Sequence, residues 1–429
     1  MSAPRPAAEP SHIAAIQDDR AGTMDHALRV LADVFGHSSF RQGQDAVIEA
    51  VLTGRDCVAV MPTGSGKTVT FQVPARMLHG PVVVVSPLIA LMEDQVARAR
   101  DRGLRAVRIG GDGESRELVA RRLTAEPPEL VYIAPEGLEA GWLDVLRPMR
   151  VGLLAVDEAH CIERWGPEFR PSYLGLGEVR AALGSPGCLA VTASASPRTV
   201  TRIAEVLRMR DPVQVRTSCL RPNLTLRALC CRDQREQSAL VARYVRDSRG
   251  CGIVYARSRD GADASAALLR RRGIAAESYH AHMERAERTA VQKRFLSGRT
   301  PVVVATVAFG MGIDKPDVRW VLHRGLPETM DAYYQEVGRA GRDGEPSDCL
   351  LLWSPTDMGV HRALRRSVES AQRRDEAVVA SAGMMRFAGG SGCRHAVVAR
   401  HFGEVIERCG DRCDVCRPAL DRRLAALPG

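Results

Sequence analysis

Four groups of residues in this chain have the types and spacing to do chemistry. In "MPTGSGKT" (61–68) two glycines, a lysine and a threonine follow the apolar run "CVAVM". That arrangement lets loop N–H groups and a helix N-terminus hold phosphates. Thr63, Gly64, Ser65 and Gly66 would form the cradle, Lys67 would meet the β and γ phosphates, and Thr68 would ligate Mg²⁺. The strict pattern asks for glycine where Met61 stands, so the match departs there. In "VGLLAVDEAH" an apolar run ends in two adjacent carboxylates. Asp157 is suited to hold the metal through its shell and Glu158 to polarise a water. The pair implies in-line attack on the γ-phosphate of ATP, with catalysis supplied by positioning and charge stabilisation. "YYQEVGRAGRDG" (333–344) offers Arg339 and Arg342 for the transition-state charge, where one arginine is worth about 10³–10⁵ in rate. If these arginines come from a second domain, hydrolysis depends on domain closure.

The fourth group is Cys393, Cys409, Cys413 and Cys416, the last three spaced C-x3-C-x2-C. Four thiolates suit a closed, tetrahedral structural Zn²⁺, and in a small segment such binding amounts to folding, at about 10–16 kcal/mol. The other eight of the twelve cysteines are scattered and read as small buried apolar residues. His280 and His282 in "YHAHM" read as structural, at a strand end.

The elements that must position these groups follow from the apolar pattern. "CVAVM", "VVVVS", "LVYIA", "VGLLAVDE" and "CLAVTAS" are short, nearly continuous apolar runs with helical stretches between them. Such runs imply a parallel sheet covered on both faces. The pattern restarts with "CGIVYARS", "AAESYH", "PVVVATVA", "RWVLHRGLP" and "DCLLLWS", after a polar connection at "RTSCLRPNLT". The fold class is therefore α/β: two tandem parallel-sheet domains, then a small helical cysteine-bearing module. The expected divisions are a flexible tail over 1–23, domains over 24–215 and 216–355, and the module over 356–429. A formal charge of +9 fits either a polyanionic partner or ordinary solvation. No apolar run reaches the roughly 20 residues of a membrane span, and the start lacks a signal-peptide pattern, so a cytoplasmic location is expected.

Taken together, "FGHSSFRQGQ", "MPTGSGKT", "VVVSPLIALMEDQV", "DEAHCIERWGPEFRPSY", "AVTASAS", "VVATVAFGMGIDKPDVR" and "YYQEVGRAGRDG" occur in the order seen in RecQ helicases. The chain resembles that family from about Met24 to Cys416. The resemblance implies two RecA-like domains and an ATP-dependent DNA helicase moving 3′ to 5′ on single-stranded DNA, with tailed duplexes and repair or recombination proteins as partners. A monomer is expected. It also implies that His37, Arg41 and Gln44 bind adenine, that Gln335 belongs to the nucleotide set, and that a loop carrying Trp165, Phe169 and Arg170 couples DNA binding to hydrolysis. Aromatic faces stack on bases without reading sequence, at about 1–3 kcal/mol per base; the alternative is that Trp165 and Phe169 are core residues. Ser258 and Thr306 are phosphate or strand contacts by the same resemblance, or else solvated or helix-capping hydroxyls. DNA rather than RNA rests on the resemblance alone.

Four departures stand out. Pro167 replaces a usual histidine, "TASA" replaces T-A-T-A, His37 replaces a frequent tyrosine, and the cysteine spacing is one residue longer than the usual C-x2-C-x2-C. Against that family spacing Cys409 is the ligand in question, with His395 and His401 as substitutes. Family members commonly continue into winged-helix and further helical domains, so a short form with weaker duplex unwinding is expected. The alternatives are a DNA-stimulated translocase that remodels or anneals strands, and an ATP-switched DNA-binding scaffold.

Overall fold

In a computed structural model the chain is described over residues 11–420, apart from 112, 114, 165–170, 308, 310–314 and 358–370. It divides into two compact units, Met1–Thr217 and Ser218–Gly429.

The first unit is built on a seven-stranded sheet: β1 (Cys57–Val60), β2 (Val82–Val85), β3 (Ala106–Arg108), β4 (Leu130–Ile133), β5 (Leu153–Val156), β6 (Gly187–Thr192) and β7 (Val213–Arg216). The order is β3-β4-β2-β5-β6-β1-β7, and every pairing is parallel. β1, β2, β4 and β5 are buried along their whole length. Their side chains alternate between two cores: Val83 and Val85 pack on one face with Leu154 and Val156, and Val82 and Val84 on the other with Phe71 and Tyr132. A sheet buried on both faces needs continuous apolar strands. Because the strands are parallel, their C-terminal ends share one edge, where ligands bind in open α/β sheets. The phosphate loop leaves β1 there, the acid pair leaves β5, and β6 ends there at Thr192.

A flexible tail through residue 23 was expected, but a helix spans Ser11–Phe35. The prolines at 4, 6 and 10 precede it, and the alanine-, isoleucine- and glutamine-containing stretch after Ser11 has no breaker before Gly22. Ala27, Val30 and Leu31 anchor the helix against Ile48 and Val73.

The second unit has a six-stranded sheet: β8 (Leu224–Cys230), β9 (Cys251–Ala256), β10 (Ala276–Tyr279), β11 (Val302–Ala305), β12 (Val318–Arg324) and β13 (Ser347–Trp353). The order is β10-β11-β9-β12-β13-β8, again with parallel pairings. The C-terminal segment packs into this unit: Met384 and Phe387 of the helix Ala371–Gly389, together with Cys393, Val398 and Phe402, share one core with Tyr333 and Leu351. It also covers the edge of β8. Leu226 N–H donates to Arg412 O (3.0 Å) and Ala228 N–H to Asp414 Oδ2 (3.1 Å). Covering an edge removes unpaired backbone groups that would recruit another strand. Among the described residues no helix is long and apolar enough to cross a membrane.

Candidate active site and metal centre

The phosphate loop is held from outside by two side chains. Gln44, buried, donates its amide to Ser65 O and Gly66 O (3.0 Å each) and accepts from Arg41 N–H (2.9 Å). The Arg41 guanidinium donates to Gly64 O (2.7 Å). Gly66 is required twice over: its φ is +79°, and a Cβ there would lie 2.7 Å from Gln44 Nε2. Lys67 Nζ reaches back to Met61 O (3.2 Å) and Pro62 O (3.4 Å). The helix after the loop, Val69–Ala75, begins directly after Thr68. His37 is exposed, just beyond the helix Ser11–Phe35.

Opposite the loop, Asp157 is buried, with Oδ2 accepting from Gln95 Nε2 (3.2 Å) and Oδ1 from Glu158 N–H (2.9 Å). Burial, and then the Glu158 carboxylate, push Asp157 up to about 6, against the pull of Lys67 and the Gln95 hydrogen bond. Glu158 has φ +50°, a left-handed backbone that a glutamate adopts only when its surroundings enforce it. Its Oε2 lies 3.4 Å from His160 Nδ1. Lysine, acid pair and loop thus meet on one edge of one sheet.

In the second unit the helix Met330–Val337, capped by Thr329, runs into the turn that carries Arg339 and Arg342. Gln335 and Arg342 are half-buried, and Arg339 is buried. Beneath them His323 Nε2 and Glu336 Oε2 form a buried pair 2.8 Å apart. Ser258 caps the helix Arg259–Arg271, its Oγ accepting from Gly261 N–H (3.1 Å), which leaves its O–H free to donate. Thr306, half-buried, follows β11 and donates its N–H to Tyr279 O (3.2 Å). His280 has a carboxylate partner that spacing did not reveal, Asp263 at 3.2 Å. Trp165, Phe169 and Arg170 lie outside the described residues.

The four thiols of Cys393, Cys409, Cys413 and Cys416 lie within 4.8 Å of one another. Cys393 Sγ and Cys413 Sγ are 4.0 Å apart, close to the about 3.8 Å that a tetrahedron of Zn–S bonds sets and far beyond the about 2 Å of a disulfide. Burial opposes ionisation of Cys416, but Arg408 and the neighbouring cysteines pull its thiol down to about 7. The donor set fits zinc. The two candidate substitutes are engaged elsewhere: His395 Nε2 faces Leu224 O and Arg412 O (3.2 Å each), and His401 Nε2 faces Asp331 Oδ2 (2.8 Å).

Three family profiles match in succession: DEAD/DEAH box helicase over residues 41–203, helicase conserved C-terminal domain over 236–344, and RecQ zinc-binding over 355–417. The ATP-dependent DNA helicase RecQ of Bacillus subtilis is 37% identical over 408 residues, covering 94% of this chain and 68% of the relative. The chain belongs to the RecQ family. The RecQ helicase of Pasteurella multocida is 38% identical over 91% of this chain and 62% of its own length; the chain spans about three fifths of that relative. Among solved structures, the Mycobacterium smegmatis helicase Lhr bound to ssDNA and AMP-PNP aligns with a TM-score of 0.58 at 23% identity, covering 77% of this chain and 48% of that one. S. cerevisiae Dbp5 bound to RNA and ADP BeF3 aligns with a TM-score of 0.62 at 15% identity, covering 80% and 90%. Both share the tandem RecA-like fold.

For a RecQ-family chain the longer cysteine spacing has a local answer: Gly410 adopts φ +75° between Cys409 and Cys413, turning the chain so that all four thiols still converge. Residues that the motif reading passed over are Gln95, which holds Asp157, and Arg221, Asn223 and Glu404 in the second unit. Gln95 lies inside a quoted motif; the others carry no local pattern.

Proposed function

We propose that this chain is an ATP-dependent DNA helicase that moves 3′ to 5′ along single-stranded DNA in repair or recombination. The observation that carries the reading is the single sheet edge on which Lys67, Asp157 and Glu158 meet, in a chain whose relatives are named ATP-dependent DNA helicases. The phosphate loop holds the ATP phosphates, and Lys67 turns from its own loop carbonyls toward the β and γ oxygens. Asp157 and Thr68 supply oxygen ligands of the kind Mg²⁺ takes. When bound, the ion offsets the charge of the phosphates. Glu158 orients the attacking water, while Arg339 and Arg342 supply positive charge to the transition state. His37, Arg41 and Gln44 meet adenine, with Gln335 completing the nucleotide set. Trp165, Phe169 and Arg170, with Thr306, meet the strand. The four cysteines hold Zn²⁺.

Glu158→Gln tests this. The variant is expected to bind ATP and DNA normally, to lose hydrolysis by about 10²–10³-fold, and to lose strand displacement with it. Strand displacement that survives without hydrolysis would instead indicate a scaffold switched by nucleotide binding.

A further inference from the structure

The turn carrying Arg339 and Arg342 is clamped by a segment from another part of the second unit. The helix Met330–Val337 ends at Gly338, leaving the carbonyls of its last turn and of the following loop in need of donors. Arg221 provides them: its guanidinium donates to Gly338 O (3.4 Å), Ala340 O (3.1 Å) and Gly341 O (2.7 Å). The Asn223 amide donates to Gly341 O (2.8 Å) and Glu345 O (2.9 Å). These carbonyls bracket Arg339 and Arg342 on both sides. Gly341 has φ +56°, and a Cβ there would lie 2.4 Å from Asn223 Nδ2, so the amide comes this close only because the position is glycine.

The clamping segment is itself anchored. Glu404 accepts from Ser218 Oγ (2.7 Å) and Cys219 N–H (2.9 Å), and the Tyr334 hydroxyl donates to Cys219 O (2.7 Å). Tyr334 packs on Phe402, ring centroids 4.8 Å apart. The segment is thus fixed at one end by the cysteine-bearing region and at the other grips the arginine turn.

We propose that Arg221 and Asn223 are positioning residues for ATP hydrolysis: they fix the backbone from which Arg339 and Arg342 project, without touching nucleotide. This rests on the role given above to the two arginines. A fork of N–H donors gripping three carbonyls is a task for arginine that lysine's single ammonium does not repeat. A catalytic group displaced by about 1 Å can lose 10²-fold in rate, so the clamp acts on kcat.

The experiment is steady-state ATPase at saturating single-stranded DNA for wild type, Arg342→Ala, Arg221→Ala, Asn223→Ala and the double variant Arg221→Ala/Arg342→Ala, with thermal melting of each. Arg221→Ala is expected to lower kcat about 10- to 100-fold with KM for ATP nearly unchanged, and to add little in the Arg342→Ala background. Asn223→Ala is expected to lower kcat in the same way but less, and it decides the matter if Arg221→Ala does not fold. A folded Arg221→Ala or Asn223→Ala protein with wild-type kcat, or losses that multiply in the double variant, overturns the proposal. If Arg342→Ala itself keeps wild-type kcat, the role of the arginine turn fails first, and the clamp's catalytic purpose with it.

Discussion

His160 Nδ1 lies 3.0 Å from the Thr192 hydroxyl, tying the acid-pair loop after β5 to the end of β6. Thr192 Oγ1 also lies 3.0 Å from Ser194 O; in the tautomer with hydrogen on His160 Nδ1, the hydroxyl donates to Ser194 O and accepts from the imidazole. The same N–H faces Glu158 Oε2 at 3.4 Å. The imidazole thereby holds the carboxylate proposed above to orient water. Thr192→Val keeps the shape and removes the acceptor; it is expected to lower ATPase kcat about tenfold, the scale of a modest positioning loss, with little change in KM. An unchanged kcat would remove His160 from the positioning of Glu158.

Lys67→Ala is expected to abolish ATP hydrolysis, by at least about 10²-fold, while leaving DNA binding intact. Filter binding of labelled DNA beside an ATPase assay checks both. Retained turnover would place the phosphate site elsewhere.

Asp157 gives a pH signature. Its carboxyl is raised from the ordinary 3.8 to about 6, so the folded chain binds that proton more tightly than the unfolded chain. Stability contributed by this group is complete at low pH and is lost as pH rises through about 6. Asp157→Asn is therefore expected to raise the melting temperature at pH 8 without Mg²⁺, by on the order of 5 °C, and to raise it little near pH 4, while hydrolysis is lost. Equal shifts at both pH values would contradict the burial argument.

Metal removal should loosen more than the cysteine segment. Cys413 is fully buried and bridges to Leu226 of β8, so a chelator or Cys413→Ser is expected to raise hydrogen exchange at the β8 edge as well as around the cluster. Loss of zinc with no change in β8 protection would show that the edge stands without it.

The strands with unbroken apolar runs, such as "VVVV" over 82–85, were legible because burial on both faces leaves a pattern of its own. β8 was not: its first two residues fall in the polar connection quoted above, and Arg227, whose guanidinium bonds Asp348 of the neighbouring strand, interrupts the apolar run that follows. β3 and β7 are edge strands too short to leave an apolar run of their own. That Lys67, Asp157 and Glu158 share one sheet edge was legible because the phosphate loop and the acid pair each directly follow an unbroken apolar run of a parallel sheet. Gln95 and Arg221 were not, because each acts on a segment distant in sequence, Gln95 through one hydrogen bond to Asp157 and Arg221 through three to the arginine turn. For Gln44 and Arg41 the resemblance implied contact with adenine; the structure adds that their side chains also hold the phosphate loop's carbonyls, which no local pattern announced.

The most direct test of the central claim is strand displacement on matched 3′-tailed and 5′-tailed DNA duplexes, with ATP hydrolysis followed in the same reactions with and without single-stranded DNA. The account predicts DNA-stimulated hydrolysis and opening of the 3′-tailed duplex alone. Hydrolysis that DNA stimulates without displacing either strand would contradict it and leave a translocase that remodels DNA without unwinding it.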